Sequence, residues 1–149
     1  MMIFSIQQVE EKYFSQWAEL YRGYADHYKS PLTNTGLKVT WDWLLDKSHP
    51  LIGIVGKQNN ILIALAHFRS MPSPLRAHEI GFIDDLFVDP NYRGLRVAEK
   101  MIASIKQVGT KNKWHTIRWI TRDNNYRARN VYDKVATKSD WNVYELNCE

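Results

Sequence analysis

The order of strand and helix patterns along the chain constrains its fold more than any other feature of the sequence. Alternating apolar residues predict strands, and apolar residues spaced three and four apart predict helices. The predicted order is strand 3–9, helix 11–28, helix 35–46, strand 51–55, strand 61–69, strand 79–88, helix 97–108, strand 115–121, helix 125–135 and strand 141–146. This order favours an α/β domain whose mixed sheet is antiparallel in its first half and enters its second half through a helix crossover.

Turn-forming residues mark the borders of several of these elements. Residues 57–60 predict a hairpin between the second and third strands, and residues 71–76, which contain two prolines, predict a loop. Asp89 and Pro90 end the fourth strand, because proline cannot continue a hydrogen-bonded ladder. Gly109 is expected to close the third helix.

Length and composition indicate a small packed domain without disulfides. The 149 residues suit one domain, and 13% aromatic residues argue against intrinsic disorder. A single cysteine, Cys148, excludes an intramolecular disulfide framework and a cysteine-rich zinc site. The apolar run 61–68 is too short to span a bilayer, and the first residues lack the basic region of a secretory signal. We therefore expect a cytoplasmic protein that is monomeric in its fold, binds no structural metal and does not enter a membrane.

The net charge of +4 is unevenly divided along the chain. Residues 1–90 contain eight lysines and arginines against ten acidic residues, whereas residues 91–149 contain twelve against six. The basic second part is compatible with a solvated surface or with an anionic partner. Nucleic acid is not expected as that partner, because the basic residues are spread over the predicted helices and no base-stacking motif is present.

A candidate anion site lies between the strand that ends at Val88 and the helix that starts near Arg96. At such a junction the N–H groups of the helix start point outward, and the helix dipole favours negative charge. Gly94 lets the backbone approach a ligand, and Arg93 and Arg96 add positive charge. The spacing is not that of a Walker A phosphate-binding loop.

Residues 82–102, FIDDLFVDPNYRGLRVAEKMI, resemble motif A of the GNAT superfamily of N-acetyltransferases, closest to the diamine (spermidine/spermine) acetyltransferase branch. The family pattern is Arg or Gln, two residues, Gly, one residue, and Gly or Ala; Arg93 and Ala98 match its ends. A second match, formed by Asn125, Ala128 and Tyr132, is similar to the family's Asn-x-x-Ala-x-x-x-Tyr helix. The resemblance covers essentially the whole chain. It implies the GNAT fold, a mixed and mostly antiparallel sheet that is splayed in the middle and carries about four helices.

The resemblance also implies a site for acetyl-CoA as cosubstrate, with no metal. The pantetheine arm is expected to pair with main-chain groups of the strand that contains Leu86, Phe87 and Val88. Asn125 is expected to hold the coenzyme from the opposite helix, and Tyr132 is expected to protonate the leaving thiolate as general acid. The diphosphate is expected on the N–H groups of Arg93, Gly94, Leu95, Arg96, Val97 and Ala98.

One residue departs from the family pattern. Arg96 stands where the second glycine of motif A is usual. Its side chain would either crowd the diphosphate or pair with one of the phosphates. The departure also suggests an alternative function, a CoA-binding module without turnover.

The expected acceptor site combines acidic and aromatic residues. Asp84 and Asp85 are neighbours on a strand and are expected to point to opposite faces, so that only one faces the cleft. The resemblance implies that Asp84 helps to deprotonate the amine through water, while Asp85 either joins the acceptor site or binds a loop N–H or an arginine. A wall that attracts a cationic amine is expected at the end of the first long helix, from Tyr24, Asp26 and Tyr28.

The leading hypothesis is an acetyl-CoA-dependent N-acetyltransferase that acts on a primary amine, with a small cationic amine as the preferred acceptor. A protein lysine or an amino-acid amine is the alternative acceptor. His27 is interpreted as a solvent-facing helix end, and His67 as a hydrogen-bonded core residue. A homodimer is a further hypothesis, formed by pairing of the aromatic strand 141–146 across a twofold axis.

Overall fold

A computed structural model describes residues 4–149 of the chain. The α/β class and the predicted order of elements are confirmed as far as the last helix, and residue 3 of the predicted first strand lies outside the described residues. The elements are β1 (Phe4–Gln8), a 3-10 turn (Glu11–Tyr13) leading into α1 (Phe14–His27), α2 (Asn34–Leu45), β2 (Leu51–Gln58), β3 (Ile61–Ser73), β4 (His78–Val88), a second 3-10 turn (Pro90–Tyr92), α3 (Val97–Lys111), β5 (Ile117–Trp119) and α4 (Tyr126–Val135).

Five strands form one mixed sheet in the order β1-β2-β3-β4-β5. The first four strands pair antiparallel, and β5 pairs parallel to β4 after the crossover through α3. The β2–β3 hairpin turns at Asn59 and Asn60, which both adopt the positive φ that a two-residue turn of this kind requires. The predicted division into an antiparallel half and a crossover half is therefore confirmed.

The strands β4 and β5 diverge soon after they meet. They pair only over residues 81–83 of β4, whereas β3 follows β4 as far as Val88. The outer edge of β4 beyond Ile83 thus has no strand neighbour in the described part of the chain. This divergence is the splay that the resemblance implied.

Helices cover both faces of the sheet and bury an apolar cluster on each. On one face, α1 and α2 bury Trp17, Leu37 and Trp41 against the strands. On the other face, α3 buries Met101 and Ile105. Full burial of one such side chain contributes about 1.5–3 kcal/mol, so packing holds these helices in place. None of the helices within residues 4–149 has both the length and the apolar character that crossing a membrane requires.

The ends of β3 and α3 differ from the sequence prediction because tertiary contacts outweigh local turn signals. The strand β3 continues through Pro72 to Ser73, so the loop before β4 is shorter than expected. The helix α3 continues past Gly109, where a Cβ would stand 3.1 Å from Trp114 and 3.1 Å from Ile117. This glycine allows close packing and does not end the helix.

The predicted strand 141–146 is wrong. Residues 137–149 contain neither helix nor strand, and all of them are exposed. The strand β5 is only three residues long, shorter than the predicted 115–121. Its outer edge has no partner within the described residues.

Candidate active site

A cleft opens where β4 and β5 diverge. It holds a cavity of about 480 Å³, which we call the first cavity, bounded by the edge of β4, the start of α3, one side of α4 and the end of α1. A volume of this size is typical of small-ligand sites. All of the predicted coenzyme contacts except Leu95 line it, namely Leu86, Phe87, Val88, Arg93, Gly94, Arg96, Val97, Ala98 and Asn125.

The first cavity offers hydrogen-bonding groups of the main chain at two places. The outer-edge N–H and C=O groups of residues 86–88 have no strand partner among the described residues. At the start of α3 no side chain caps the first turn, so its N–H groups remain available to an anion. Arg93 and Arg96 are exposed beside this turn. An extended arm along β4 that ends in a negatively charged group at α3 fits this arrangement.

Arg96 has a backbone conformation that normally selects glycine. Its φ of 61° and ψ of 25° lie in the left-handed region, which costs an ordinary residue about 1–2 kcal/mol. Its guanidinium is largely exposed, and its ion pair with Glu99 is long, at 3.8 Å. Arg96 therefore follows the backbone path of a glycine while it adds a positive charge next to the helix start.

Tyr132 lies on α4 and lines the first cavity. Its ring packs edge-on against Trp119 of β5, with ring centroids 5.4 Å apart. Burial raises the pKa of Tyr132 to about 12, with a smaller contribution from the nearby Tyr28. The phenol is therefore protonated at neutral pH and can donate a proton inside the cleft.

Asn125 fixes the start of α4 at the same cavity. Its side-chain oxygen accepts a hydrogen bond from the Ala128 N–H at 3.4 Å, as helix-capping residues do. Its amide donates to the Thr121 hydroxyl at 3.3 Å. The structure thus gives Asn125 a capping role, and its contact with the coenzyme stays a prediction.

A β-bulge turns the two neighbouring aspartates toward the same side of the sheet. His67 of β3 pairs with Asp85 and Phe68 pairs with Ile83, so Asp84 is the extra residue of β4. The prediction that the two carboxylates point to opposite faces is wrong, because the bulge interrupts the alternation that it assumed. Both line a second cavity of about 340 Å³.

Arg69 holds the carboxylate of Asp84. Its guanidinium donates from Nε and Nη2 to the two carboxylate oxygens at 2.9 and 3.2 Å. The two side chains keep 38% and 31% of their surface exposed, so the pair remains in contact with solvent. The remaining lone pairs of the carboxylate are available to water or to a ligand in the second cavity.

Asp85 is the end point of a buried chain of hydrogen bonds. The indole N–H of Trp17 donates to Nε2 of His67 at 2.9 Å, and Nδ1 of His67 lies 2.7 Å from Asp85 Oδ2. Because an indole N–H can only donate, His67 has its proton on Nδ1 and donates it to Asp85. Tyr21 donates a second hydrogen bond to the same oxygen at 2.8 Å. His67 is fully buried with both nitrogens satisfied, so its prediction as a core histidine is confirmed.

These hydrogen bonds keep Asp85 ionised. Burial alone would raise the pKa of this carboxyl, but the hydrogen bonds from His67 and Tyr21 outweigh burial and hold the pKa below its usual value. Burial, together with the charge of Asp85, raises the pKa of Tyr21 and of Tyr24, so both phenols stay protonated. Within residues 4–149 no cluster of three or more His, Cys, Asp or Glu side chains could bind a metal ion.

The second cavity lies on the side of the sheet that α1 and α2 cover. Trp43 and His49 stack face to face at its edge, with ring centroids 5.0 Å apart and 5° between the ring planes. Its lining consists of Tyr21, Thr40, Trp43, His49, Leu51, Arg69, Asp84 and Asp85. Tyr21 and Arg69 were not predicted as site residues, although their spacing could have identified both. Tyr21 precedes Tyr24 by one helical turn. Arg69 follows His67 by two residues, on the same face of β3. No local signal identified Trp43 or His49.

Tyr21 and Tyr24 separate the two cavities. Tyr21 lines the second cavity and Tyr24 lines the first. Their rings stack with centroids 5.8 Å apart, and the Tyr24 hydroxyl lies 3.5 Å from the main-chain oxygen of Asp84. The two cavities are therefore neighbours across this pair of tyrosines.

The structure brings only part of the predicted acceptor wall together. Tyr24 and Tyr28 line the first cavity. His27 also borders this cavity, and its side chain is exposed, as expected for a helix end that faces solvent. Asp26 is exposed and lines neither cavity. Residues four apart share one face of a helix, whereas Asp26 is two residues from each tyrosine and therefore points elsewhere.

Comparison with known proteins links this geometry to one family. The model of the acetyltransferase (GNAT) family matches residues 14–136 of the chain. Among curated proteins, the chain is similar to the D-amino-acid N-acetyltransferase HPA3 of Saccharomyces cerevisiae, with 24% identity over 144 residues. The match covers 95% of this chain and 89% of that relative.

Solved structures share the fold at low sequence identity. A ribosomal-protein-alanine N-acetyltransferase from Brucella melitensis biovar Abortus 2308 has a TM-score of 0.81 at 17% identity, covering 97% of this chain and 99% of that one. An aminoglycoside N-acetyltransferase solved in complex with CoA has a TM-score of 0.82 at 15% identity, covering 99% and 97%. At such identities the likeness establishes the shared fold.

Proposed function

The chain belongs to the acetyltransferase (GNAT) family and uses acetyl-CoA as its cosubstrate, and we propose that it acetylates a small primary amine with Tyr132 as general acid. The observation that carries this proposal is that the two cavities are neighbours across the stacked pair of Tyr21 and Tyr24. One cavity offers main-chain donors and a protonated phenol. The other offers two carboxylates. An acyl donor and an amine that occupy them meet at the tyrosine pair.

The first cavity is the proposed donor side. Bound acetyl-CoA supplies a thioester carbon that an amine can attack. Main-chain N–H groups near Phe87 and Val88 polarise its carbonyl oxygen, and the uncapped start of α3 binds the diphosphate. Arg96 adds a charge-assisted contact to a phosphate. Leu86 and Val88 pair with the pantetheine arm through their main-chain groups.

The second cavity is the proposed acceptor side. Asp84 takes a proton from the ammonium group through a water molecule, because its Arg69 pair occupies part of the carboxylate. The neutral amine then forms a bond to the carbonyl carbon as the carbon–sulfur bond breaks, and its nitrogen releases a second proton to solvent to give the amide. Tyr132 gives its proton to the leaving sulfur and regains a proton from solvent. Asp85, tied to His67 and Tyr21, keeps a fixed negative charge beside the amine.

A small cationic amine, of the diamine type, is the first proposed acceptor class. Asp84 and Asp85 together exceed the single positive charge of Arg69 among the residues that line the second cavity. A negative cavity attracts a cation and favours its binding over that of an anion. The stacked rings of Trp43 and His49 offer an aromatic surface on which a second ammonium group or an alkyl chain can rest.

An amino acid is the second proposed acceptor class, and Arg69 is the observation that favours it. The bonds to Asp84 use Nε and Nη2, which leaves Nη1 of Arg69 for a carboxylate of the acceptor. The relative from Saccharomyces cerevisiae, a D-amino-acid N-acetyltransferase, supports the same class. In this arrangement the carboxylate binds Arg69 and the ammonium group lies beside Asp85.

Release of free CoA, measured with a panel of diamines, amino acids of both configurations and a lysine peptide, tests the proposal. Wild type and Arg69→Gln are compared. For an amino-acid acceptor, kcat/KM should fall by about ten- to a hundredfold in the variant. This loss corresponds to the removal of one charge-assisted hydrogen bond, which contributes about 1.5–3 kcal/mol. For a diamine acceptor it should stay level or rise, because Asp84 is released. A protein without CoA release for any amine would contradict the proposed function.

Binding of the cosubstrate is tested separately from turnover. Acetyl-CoA at about 100 times its dissociation constant should stabilise the fold by roughly 2.7 kcal/mol, which a thermal melt detects. Stabilisation without CoA release would support the proposed donor site and contradict the proposed acceptor site. A melting temperature that acetyl-CoA does not shift would contradict both proposed sites.

A further inference from the structure

His67 lies behind the second cavity and is joined to it by Asp85. Its side chain is fully buried between the sheet and α1. From α1, the ring of Trp17 and the ring of Tyr21 pack against it. From β4, Asp85 faces its Nδ1, and on β2 the residue opposite it is Gly53, which has no side chain. The charge of this histidine is therefore decided by very few neighbours.

A carboxylate beside a buried histidine favours a second proton on the ring. Nδ1 of His67 lies 2.7 Å from Asp85 Oδ2, and opposite charges this close attract strongly where little water reaches them. An imidazolium at this place would form an ion pair with Asp85, and the pair would have no net charge. On these two residues alone, we would expect the charge of Asp85 to be cancelled.

Trp17 opposes this second proton. Its indole N–H, which can donate but cannot accept, points at Nε2 of His67 from 2.9 Å and occupies the direction that the proton would need. Protonation would replace this hydrogen bond by two N–H donors that face each other in a buried site, which is costly. The Trp17 ring packs on Trp41 and Tyr21 with centroids 4.8 and 5.3 Å apart, and this packing fixes the direction of its N–H.

The number of protons on His67 sets the net charge at the second cavity. Asp84 and Asp85 against Arg69 leave one negative charge among the lining residues while His67 is neutral. An imidazolium directly behind Asp85 would cancel that charge. A neutral His67 therefore preserves the attraction of this cavity for a cation.

We propose that Trp17 is a positioning residue that holds His67 neutral and thereby maintains the negative charge of the second cavity from neutral to mildly acidic pH. Trp17 lines neither cavity and acts only through His67 and Asp85. The link from this charge to the acceptor rests on the proposed function, in which the second cavity binds a cationic amine.

Nitrogen-15 NMR of the histidine rings tests the proton count in the full chain without any substrate. In wild type, we expect His67 to stay neutral with its proton on Nδ1 from about pH 8 to about pH 5, the range in which histidines ordinarily become charged. The signals of His67 are identified by their absence in His67→Asn. A wild-type His67 that gains a second proton in this range would overturn the proposal, and this result needs no variant of Trp17.

A matched pair of tryptophan variants tests the role of the indole. Trp17→Phe removes the N–H and leaves space beside Nε2 for a water molecule that can accept a proton, so His67 should take up a second proton in the same pH range. Trp114→Phe also removes a buried indole that donates a hydrogen bond, to the Ser70 hydroxyl at 3.1 Å, and should leave His67 neutral. A thermal melt verifies that both variants fold. A neutral His67 in Trp17→Phe, or a charged one in both variants, would contradict the proposal.

Calorimetric titration with 1,4-diaminobutane in the presence of CoA links the charge to the acceptor site. Dissociation constants are measured at about pH 8 and about pH 5.5. His49, which lines the same cavity, is present in every variant, so its own titration cancels when the variants are compared. Between the two pH values, Trp17→Phe should lose about tenfold more affinity than wild type or Trp114→Phe, because its cavity loses the net negative charge.

A double variant separates this electrostatic role from a merely structural one. His67→Asn supplies an amide that can donate to Asp85 but cannot take up a proton. Added to Trp17→Phe, it should restore the pH dependence of wild type, although the fold stays less stable. A double variant with the same pH dependence as Trp17→Phe alone would contradict the proposal, because the titrating group would then not be His67.

The two readouts also separate this proposal from the proposed function. The expected NMR result without CoA release from any amine would contradict the proposed function and support the control of charge by Trp17. The expected NMR result with an equal change of diamine affinity in wild type and Trp17→Phe would show that the charge does not act on the bound amine. That outcome would overturn the link between Trp17 and the acceptor.

Discussion

The two cavities of this molecule are lined by different kinds of groups, main-chain groups in the first and side chains in the second. The first takes main-chain groups from one nearly continuous stretch, residues 86–98, where a strand edge is followed by an uncapped helix start. The second takes side chains from α1, α2, β3 and β4, with Tyr21, Trp43, Arg69 and Asp85 as examples. The contrast teaches that the proposed donor side depends on a local backbone path, whereas the proposed acceptor side depends on which distant residues the sheet register brings together.

The largest expected effect concerns the one side chain of the donor side that we place in the chemistry. Tyr132→Phe keeps the ring and its packing on Trp119 but removes the proton donor. Turnover should fall by roughly 10²–10⁴-fold while the dissociation constant of acetyl-CoA changes little. Steady-state rates and calorimetric titration provide the two measurements.

The matched control is Tyr126→Phe, which makes the same change at an exposed position of the same helix and should retain full turnover. Because the pKa of Tyr132 is raised to about 12, its ionisation should cause no loss of wild-type rate until the pH approaches that value. Full turnover of Tyr132→Phe would leave this tyrosine as a packing residue.

The second effect tests whether the backbone path alone makes the donor site. Arg96→Gly keeps the left-handed conformation, which glycine adopts freely, and removes the guanidinium. A lost charge-assisted contact of about 1.5–3 kcal/mol should weaken acetyl-CoA binding by roughly ten- to a hundredfold. Added salt should then weaken wild type more than the variant.

Arg96→Ala separates charge from conformation. It removes the guanidinium but keeps a side chain in the left-handed region, so it should bind acetyl-CoA as weakly as the glycine variant and be less stable. Tighter binding by Arg96→Gly than by wild type would instead show that the arginine crowds the diphosphate.

The same division between local and distant determinants explains what the sequence could predict. The helices around Trp17 and Met101, the hairpin at Asn59 and the loop before α3 follow from spacing and turn residues within a few positions. The side-by-side placement of Asp84 and Asp85 does not, because a bulge depends on the register with β3. The strand 141–146 was predicted from its own residues, but a segment forms a strand only where it pairs with the edge of a neighbouring strand.

The third effect tests the tertiary network of the acceptor side. Asp85→Asn keeps the size of the side chain but gives Tyr21 and His67 a poorer acceptor, which should destabilise the fold by about 1–3 kcal/mol at neutral pH. The pKa of Asp85 in the folded state lies below its unfolded-state value of about 3.9. The carboxylate therefore stabilises the fold fully at pH values above the unfolded-state pKa. This stabilisation is lost as the pH falls through the folded-state pKa.

The stabilities of wild type and Asp85→Asn, measured by urea titration at several pH values, should therefore begin to converge as the pH falls below about 4 and should meet only below the folded-state pKa of Asp85. Asp26→Asn makes the same change at an exposed position and should alter stability by less than about 0.5 kcal/mol. A constant difference between wild type and Asp85→Asn from neutral to acid pH would show that the ionised carboxylate contributes nothing to the fold.

The smallest expected effect concerns Asp84, which is partly exposed and already paired with Arg69. Asp84→Asn should lower the rate by only about fivefold, since a charge interaction at such a site is worth about 1 kcal/mol. The loss should shrink at higher pH, where more of the acceptor amine is already neutral.

The double variant Asp84→Asn with Arg69→Gln distinguishes proton removal from electrostatics. If it restores the rate at neutral pH, the loss came from the unpaired arginine repelling a cationic amine. An unchanged pH–rate profile in the single variant would assign the proton to water alone, because Asp26 lies outside both cavities.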